Sequence, residues 1–552
     1  MTEQNLQSSS ISSISAADPS ERAGEGSCAG MEAVGLEAGF APETVEAAAG
    51  QAAGVAGGSV CDSLAGTAGD EPVNPPGWVR ADLKLLFGLA VANVATTVAQ
   101  TVMSVTDFYI VSLLPNAVAA QAAVSSAGLV FFSIFGFLLG AMVCTTTVVS
   151  QSLGAGRNRD CSAYAWQGFW ISMLGGVAGF ALWPFVPQMY ALFRHDADVQ
   201  EMESIYTQIR LLSLGVSGAQ VALAHYFIGI HRPWANTHSA IASTVLNAVL
   251  TYAMALGAWG FPAMGVAGTA WATVIACVFR TVWLLIAMCY GSTAREFEAR
   301  STWRWDAEKV RRLLYVGWPS GVQFVLDISA WAAFQVWIIG MFGKTHLAAT
   351  ATVWRYTELS FMPAVGIGLA VSTAVGRAIG ERRLHLAYRR TKLGTLLNMA
   401  YMGFMGLLFV VFGRPLMEIF SSDADVIALG VELLIFAAVF QLFDAVAITY
   451  NNALRGAGDT RWPTVVGATQ AWVIMIGGGW VMAKYFPHLG SRGPWIFATL
   501  FVVTIGVTLW ARWRWAAWEK LDVIGRDEPS VVDSTAQAQP GDAGVGSPAS
   551  PA

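Results

Sequence analysis

The chain has 552 residues, 55% of them hydrophobic and 12% charged, where an ordinary soluble domain is about 25% charged. That composition excludes a soluble globule and indicates a polytopic membrane protein. The net charge of −5 averages unlike parts: residues 1–77 hold eleven acids against the single base Arg22, which leaves +5 for everything after them. No basic face interleaved with exposed aromatics occurs, so nucleic acid is not an expected partner.

In chain order, residues 1–77 are rich in Ala, Gly, Ser and Glu and poor in large apolar side chains. Such a segment cannot bury enough surface to offset chain entropy and is expected to be disordered, as is a C-terminal tail over 521–552. No basic n-region leads into a continuous apolar h-region, so no cleavable signal peptide is expected. Twelve apolar segments follow, at roughly 83–112, 120–147, 163–190, 204–230, 236–258, 264–290, 312–341, 347–376, 391–418, 424–453, 462–484 and 494–517. Each meets the spanning length of about 20 residues. The runs are continuous rather than alternating, which predicts helices and not a β-barrel.

With the amino terminus inside, the inner loops carry seventeen Lys or Arg, among them Arg157, Arg232, Arg300, Arg382 and Arg461. The outer loops and their edges carry five: Arg194, Lys344, Arg414, Lys484 and Arg492. The positive-inside rule then places both termini in the cytoplasm, with Trp78, Trp513, Trp515 and Trp518 as interfacial anchors. The six cysteines (Cys28, Cys61, Cys144, Cys161, Cys277, Cys289) are scattered, and their spacing predicts neither a disulfide framework nor a zinc site.

Two echoes reveal an internal repeat. Phe193-Arg-His-Asp-Ala-Asp-Val199 resembles Phe420-Ser-Ser-Asp-Ala-Asp-Val426, 227 positions on. Leu153-Gly-Ala-Gly-Arg157 recurs as Ile379-Gly-Glu-Arg-Arg383, with its glycines 226 apart. Six helices per copy, an even number, make the two copies parallel about an axis along the membrane normal. The expected fold is therefore an all-α integral membrane protein of twelve transmembrane helices in two pseudo-symmetric six-helix bundles. Its expected parts are an N-lobe at 78–290, an inter-lobe linker at 291–312 and a C-lobe at 313–520.

Carboxylates inside apolar helices cost about 2.5–3.5 kcal/mol each on insertion scales and so mark function. Three stand out: Asp107 in the first segment, Asp327 in the seventh and Asp444 in the tenth. Asp107 and Asp327 are 220 apart and so hold related places in the two copies, whereas Asp444 has Ser217 as its counterpart. Asp327 and Asp444 are expected to share a dry pocket in the C-lobe, where two carboxylates repel and can hold a proton or a monovalent cation. Arg355 and Glu358 share a helix face and are expected to pair, as structural glue or as gating and ligand contacts. Gln220, Asn247, Gln323 and Gln441 are intramembrane amides suited to interhelical hydrogen bonds, and His225 to those or to a proton relay. The aromatic and Met residues Trp331, Phe334, Trp337, Met341, Phe361 and Met362 are read as packing or lipid-facing groups, or as an apolar cargo lining. No GxxxxGK[ST] loop occurs, so no ATPase is expected and an ion gradient is the expected power source.

Three motifs carry a family resemblance. Val149-Ser-Gln-Ser-Leu-Gly-Ala-Gly-Arg157, Pro262-Ala-Met-Gly-Val-Ala-Gly-Thr-Ala-Trp-Ala-Thr273 and Ala453-Leu-Arg-Gly-Ala-Gly-Asp-Thr-Arg461 with Pro463 resemble signatures of the multidrug and toxic compound extrusion (MATE) family. The resemblance covers about residues 80–520. It implies cation-coupled export through a V-shaped pair of six-helix bundles, and it points to the NorM-like bacterial branch. It further implies that Asp107 is the first-helix acid, that Asp327 and Asp444 build a C-lobe H⁺ or Na⁺ site, and that Asn247 is the fifth-helix amide. Thr251 stands where many relatives have Asp, which weakens an N-lobe site of paired acids and favours the C-lobe pair. Ile230-His-Arg-Pro-Trp234 departs from the GDTRxP form.

The expected function is a secondary antiporter of the inner membrane. It would exchange amphipathic, cationic, drug-like cargo for H⁺ or Na⁺, with membrane lipids around it, no cofactor and no obligate protein partner. Two alternatives stay open: a flippase for a lipid-linked saccharide, hinted at by Arg280 and Arg355, and a membrane-embedded enzyme. The second needs a convergent catalytic set such as HExxH, which the sequence does not contain.

Overall fold

In a computed structural model, residues 77–193 and 195–525 are described. The tail expected at 1–76 lies outside them, as do Cys28, Cys61 and residues 526–552. Eleven helices are long and apolar enough to span a membrane, and a bent pair makes twelve. They are α1 Trp78–Val111, α2 Ala117–Gly154, α3 Asn158–Phe193, the pair Ala197–Leu212 and Leu214–Gly229 as α4, α5 Pro233–Leu256 and α6 Val266–Cys289. The second set is α7 Ala307–Phe342, α8 Lys344–Gly380, α9 Leu384–Val411, α10 Ala424–Ala457, α11 Arg461–Tyr485 and α12 Arg492–Arg514. No strand occurs among the described residues.

The expected segments match these spans closely, with instructive exceptions. The stretch at 204–230 bends by 50°. At the break Ser213 donates its hydroxyl to the Arg210 carbonyl at 2.8 Å, a back-bond that competes with the helical ladder and bends it. In α7, Pro319 removes one helical donor. The nearby Val316 and Pro319 carbonyls accept from Thr460 (2.8 Å) and Thr464 (3.0 Å) on the α11 side. Farther along, α7 passes through a π-helical turn at Phe334–Ile338, and α11 has a longer one at Ala471–Gly478.

Residues 291–306 are packed rather than loose. Phe297 is buried, and Trp166, Gln167 and Trp170 of α3 each donate to a carbonyl of this segment. Residues 521–525, expected in the C-terminal tail, are likewise packed, with Val523 and Ile524 buried.

The helices pair in a pattern that repeats six helices on: α3 with α4 and α9 with α10, α5 with α6 and α11 with α12. Across the divide, α1 lies against α8 and α2 against α7, contacts that the pseudo-two-fold exchanges. The repeated glycines meet there. A Cβ at Gly154 would collide with the Arg377 carbonyl oxygen, and one at Gly380 with that of Gln151. Only glycine lets the two backbones approach so closely.

Among the described residues, the inter-lobe hydrogen bonds and ion pairs run from the basic loops to mid-helix, where Asn93 of α1 donates to the Gly366 carbonyl of α8 at 3.4 Å. Gln151 donates to the Gly456 carbonyl at 2.9 Å, Thr147 to that of Arg455 at 2.8 Å, and Cys144 contacts Ser320 at 3.2 Å. Asp82 of α1, 4% exposed, is clasped by Arg389 and Arg390 of α9. Toward the other end no hydrogen bond or ion pair among the described residues joins the lobes. The two bundles are fastened at the basic end.

Candidate cation-coupling site

The first lobe gathers polar groups from three helices. Asn247 and Thr251 stand one turn apart on the buried face of α5, opposite Asp107 of α1 and Thr273 of α6. The Thr251 hydroxyl donates to Asp107 Oδ1 at 2.9 Å. Asn247 Nδ2 donates to Thr273 Oγ1 at 3.4 Å, and that hydroxyl donates onward to the Thr269 carbonyl at 2.9 Å. Asn247 Oδ1 is buried without a donor. Such an orphan acceptor costs about 1–3 kcal/mol. A carboxylate, an amide oxygen and hydroxyls are hard oxygen donors, suited to a proton or Na⁺ rather than to a soft metal. Arg210 of α4 stacks its guanidinium over Phe131 at 4.2 Å and is the cation acting on Asp107.

The second lobe is arranged differently. Asp327 is half-buried on α7 beyond Pro319. Asp444 is half-buried on α10, and no charged group acts on it. Neither carboxylate has a hydrogen-bond or ion-pair partner among the described residues. Asp327 and Asp444 come from helices that share one buried cluster of the second lobe, with Ala330 and Phe334 of α7 and Ala437 and Phe440 of α10 among its members.

Other sequence candidates sort out by their surroundings. Gln441 Nε2 donates to Ser360 Oγ between α10 and α8, and Gln323 is buried on α7. Arg355 and Glu358 pair at 3.7 Å as their spacing on α8 predicts, with both side chains largely exposed. His225 contacts the Thr146 hydroxyl at 2.8 Å, and Arg280, 5% exposed, donates to Asn236 Oδ1 at 2.8 Å inside the first lobe. Trp331 packs edge-on to Trp354 at 4.8 Å, and Phe334 is fully buried, so both are core residues. No cluster of three or more His, Cys, Asp or Glu that could hold a metal occurs among the described residues.

Sequence reading missed Thr273 and Arg210. Thr273 sits one turn from Thr269 on the buried face of α6, a spacing that could have flagged it. Arg210 is a cation within an apolar run, itself a functional signal in a membrane segment.

The MatE family profile matches residues 93–253 and 319–481, more than half of the chain. The chain belongs to the MatE family. The two matched stretches begin 226 residues apart, the offset of the sequence repeat, and they contain Asp107 and Asn247 in one copy and Asp327 and Asp444 in the other. A probable multidrug resistance protein NorM of Chromobacterium violaceum is 27% identical over 78% of this chain and 93% of its own length. The multidrug resistance protein PmpM of Pseudomonas aeruginosa is 26% identical over 76% of this chain and 88% of its own. Among solved structures, an outward-facing MATE family multidrug resistance transporter superposes with a TM-score of 0.72 at 18% identity, covering 81% of this chain and 98% of that one. The MatE fold thus accounts for the twelve spans and the paired bundles; the two sequence relatives are named as multidrug resistance proteins and the solved structure as a multidrug resistance transporter.

Proposed function

We propose that this MatE protein is a secondary antiporter that exports small amphipathic, cationic compounds in exchange for H⁺ or Na⁺ by alternating access. The observation that carries the reading is the pair of intramembrane carboxylates, Asp327 and Asp444, with no hydrogen-bond or ion-pair partner among the described residues, in a two-lobed molecule fastened at its basic end. Charge in such places calls for a cation to neutralise it. The Lys and Arg count makes the basic end cytoplasmic, so the fastened arrangement is the outward-facing state of an inner-membrane exporter with both termini inside.

Coupling then requires that cation and cargo bind the two states unequally, since equal binding would shift nothing. The cation would neutralise the carboxylates and loosen their hold on a positive cargo. The Asp107, Asn247, Thr251 and Thr273 group is a second cation-binding locus on this reading. Thr251→Val removes the hydroxyl donated to Asp107, a bond to a charged group worth about 1.5–3 kcal/mol. If that locus takes up the coupling proton, the proton concentration for half-maximal efflux is expected to fall about tenfold, because the carboxylate loses a bond that favours its charged form, and an unchanged concentration would remove the locus from a proton-coupled mechanism.

The lipid-linked saccharide reading draws no specific support, because Arg280 is packed against Asn236 and Arg355 is matched by Glu358. Efflux from proteoliposomes under separately imposed Na⁺ and pH gradients tests the proposal. Export driven by one or both gradients is expected, and export indifferent to both would end it.

A further inference from the structure

After α12 the chain turns back into the molecule. Ala516 takes a left-handed conformation (φ 54°), and a short 3₁₀ turn follows at Ala517–Lys520. Trp518 is 1% exposed, stacks on Trp513 at 4.3 Å and donates to the Trp513 carbonyl at 3.0 Å. Glu519 accepts from the Tyr388 hydroxyl at 2.7 Å. These contacts root the segment in the second lobe.

The next residues reach the first lobe. Val523, 6% exposed, joins a core cluster with Val149, Cys161 and Tyr164 of the first lobe and Leu313 of α7. Ile524 is 2% exposed. Arg157 Nη1 donates to the carbonyls of both Ile524 and Gly525, each at 3.1 Å. Val523 also sits against Gly458 in the turn between α10 and α11, and Gly525 against Arg312 at the start of α7.

The geometry points to a clasp: residues 517–525 fasten the two lobes at the basic end and must undock from the first lobe before the cleft can open there. The inference rests on the alternating-access reading and adds a state-specific element to it. Val523, rooted in the second lobe and packed in a cluster shared with the first, favours the closed arrangement, because separating the lobes returns apolar surface to water. Charge-assisted bonds from Arg157 to two main-chain carbonyls act in the same sense. Since the segment is tethered through α12, its redocking is intramolecular and can recur in every cycle.

The test uses the full-length protein in liposomes without cargo or gradient. Spin labels at the exposed positions Arg159 and Lys392, one on each lobe, report the distance across the basic end. Ile524→Asp is expected to raise the long-distance population about tenfold, matching the loss of one buried aliphatic side chain. Arg157→Gln is expected to shift it partway with the apolar contacts intact, and Ile524→Val to leave it as in wild type. Wild-type distances in both Ile524→Asp and Arg157→Gln would overturn the clasp, provided the wild type itself switches with cation. If Ile524→Asp does not fold, Arg157→Gln alone decides by the same criterion. A wild type locked at one distance under all cation conditions would instead count against alternating access.

Discussion

Asp444→Asn is expected to cut gradient-driven export severalfold to over a hundredfold while the protein remains folded and in the membrane. Asp444 lies inside α10 with no charged neighbour and no hydrogen-bond partner among the described residues, so its loss leaves no protein group unpaired. Stability should therefore be unchanged or slightly improved, since an isolated intramembrane charge is costly. What disappears is the differential affinity for the cation, and coupling free energies of about 1–3 kcal/mol correspond to about 5–150-fold. Ethidium or fluoroquinolone efflux from vesicles should fall by a factor in that range. Efflux at the wild-type rate would remove Asp444 from the mechanism.

Gly154→Leu should produce the second large effect, by a different route. The side chain would have to occupy space held by main-chain atoms at Arg377 and Glu381, which no rotamer change can clear. Overpacking of this kind costs about 1–3 kcal/mol, and here the cost falls only on the arrangement in which the lobes meet. The closed basic end should lose about tenfold or more in population, with export falling accordingly. Gly380→Leu, at the symmetric position, should behave the same way. Dipolar distances between labels on the two basic-end surfaces, read alongside efflux, check this. A Gly154→Leu protein with wild-type distances would mean the seam is not a state-dependent contact.

Much of the architecture was legible because a bilayer leaves few choices. Continuous apolar runs must be helices, and their ends follow from turn residues and charge, so the stretch at 424–453 became Ala424–Ala457 with little change. The repeat offset, read from two short echoes, also located the seam: the glycines of Leu153-Gly-Ala-Gly-Arg157 and Ile379-Gly-Glu-Arg-Arg383 turned out to face one another's loops. Local back-bonding was less visible, and Ser213 bent α4 where hydropathy alone suggested one straight span.

The site was legible residue by residue but not as a constellation. Asp107 and Asn247 met as the repeat and spacing allowed, yet their partner Thr251 read as a loss, because a hydroxyl's donation to a carboxylate depends on interhelical geometry. Asp327 and Asp444 looked like neighbours because both belong to the second repeat. Sequence carries no term for which helix of a lobe lines the seam, as α7 does against α2, and which packs among the helices of its own lobe, as α10 does against α8, α9 and α12. Polar composition likewise hid the packing of residues 521–525, where two apolar side chains decide the outcome.

The most direct test of the rocking account is the distance across the end opposite the basic loops. Labels at Val118 of α2 and Val336 of α7, both strongly exposed and one on each lobe, can be followed by pulsed dipolar spectroscopy in liposomes as pH and Na⁺ are varied. Two populations are predicted, their ratio moving with the coupling cation in wild type and insensitive to it in Asp444→Asn. A single distance, unchanged by either cation, would contradict it.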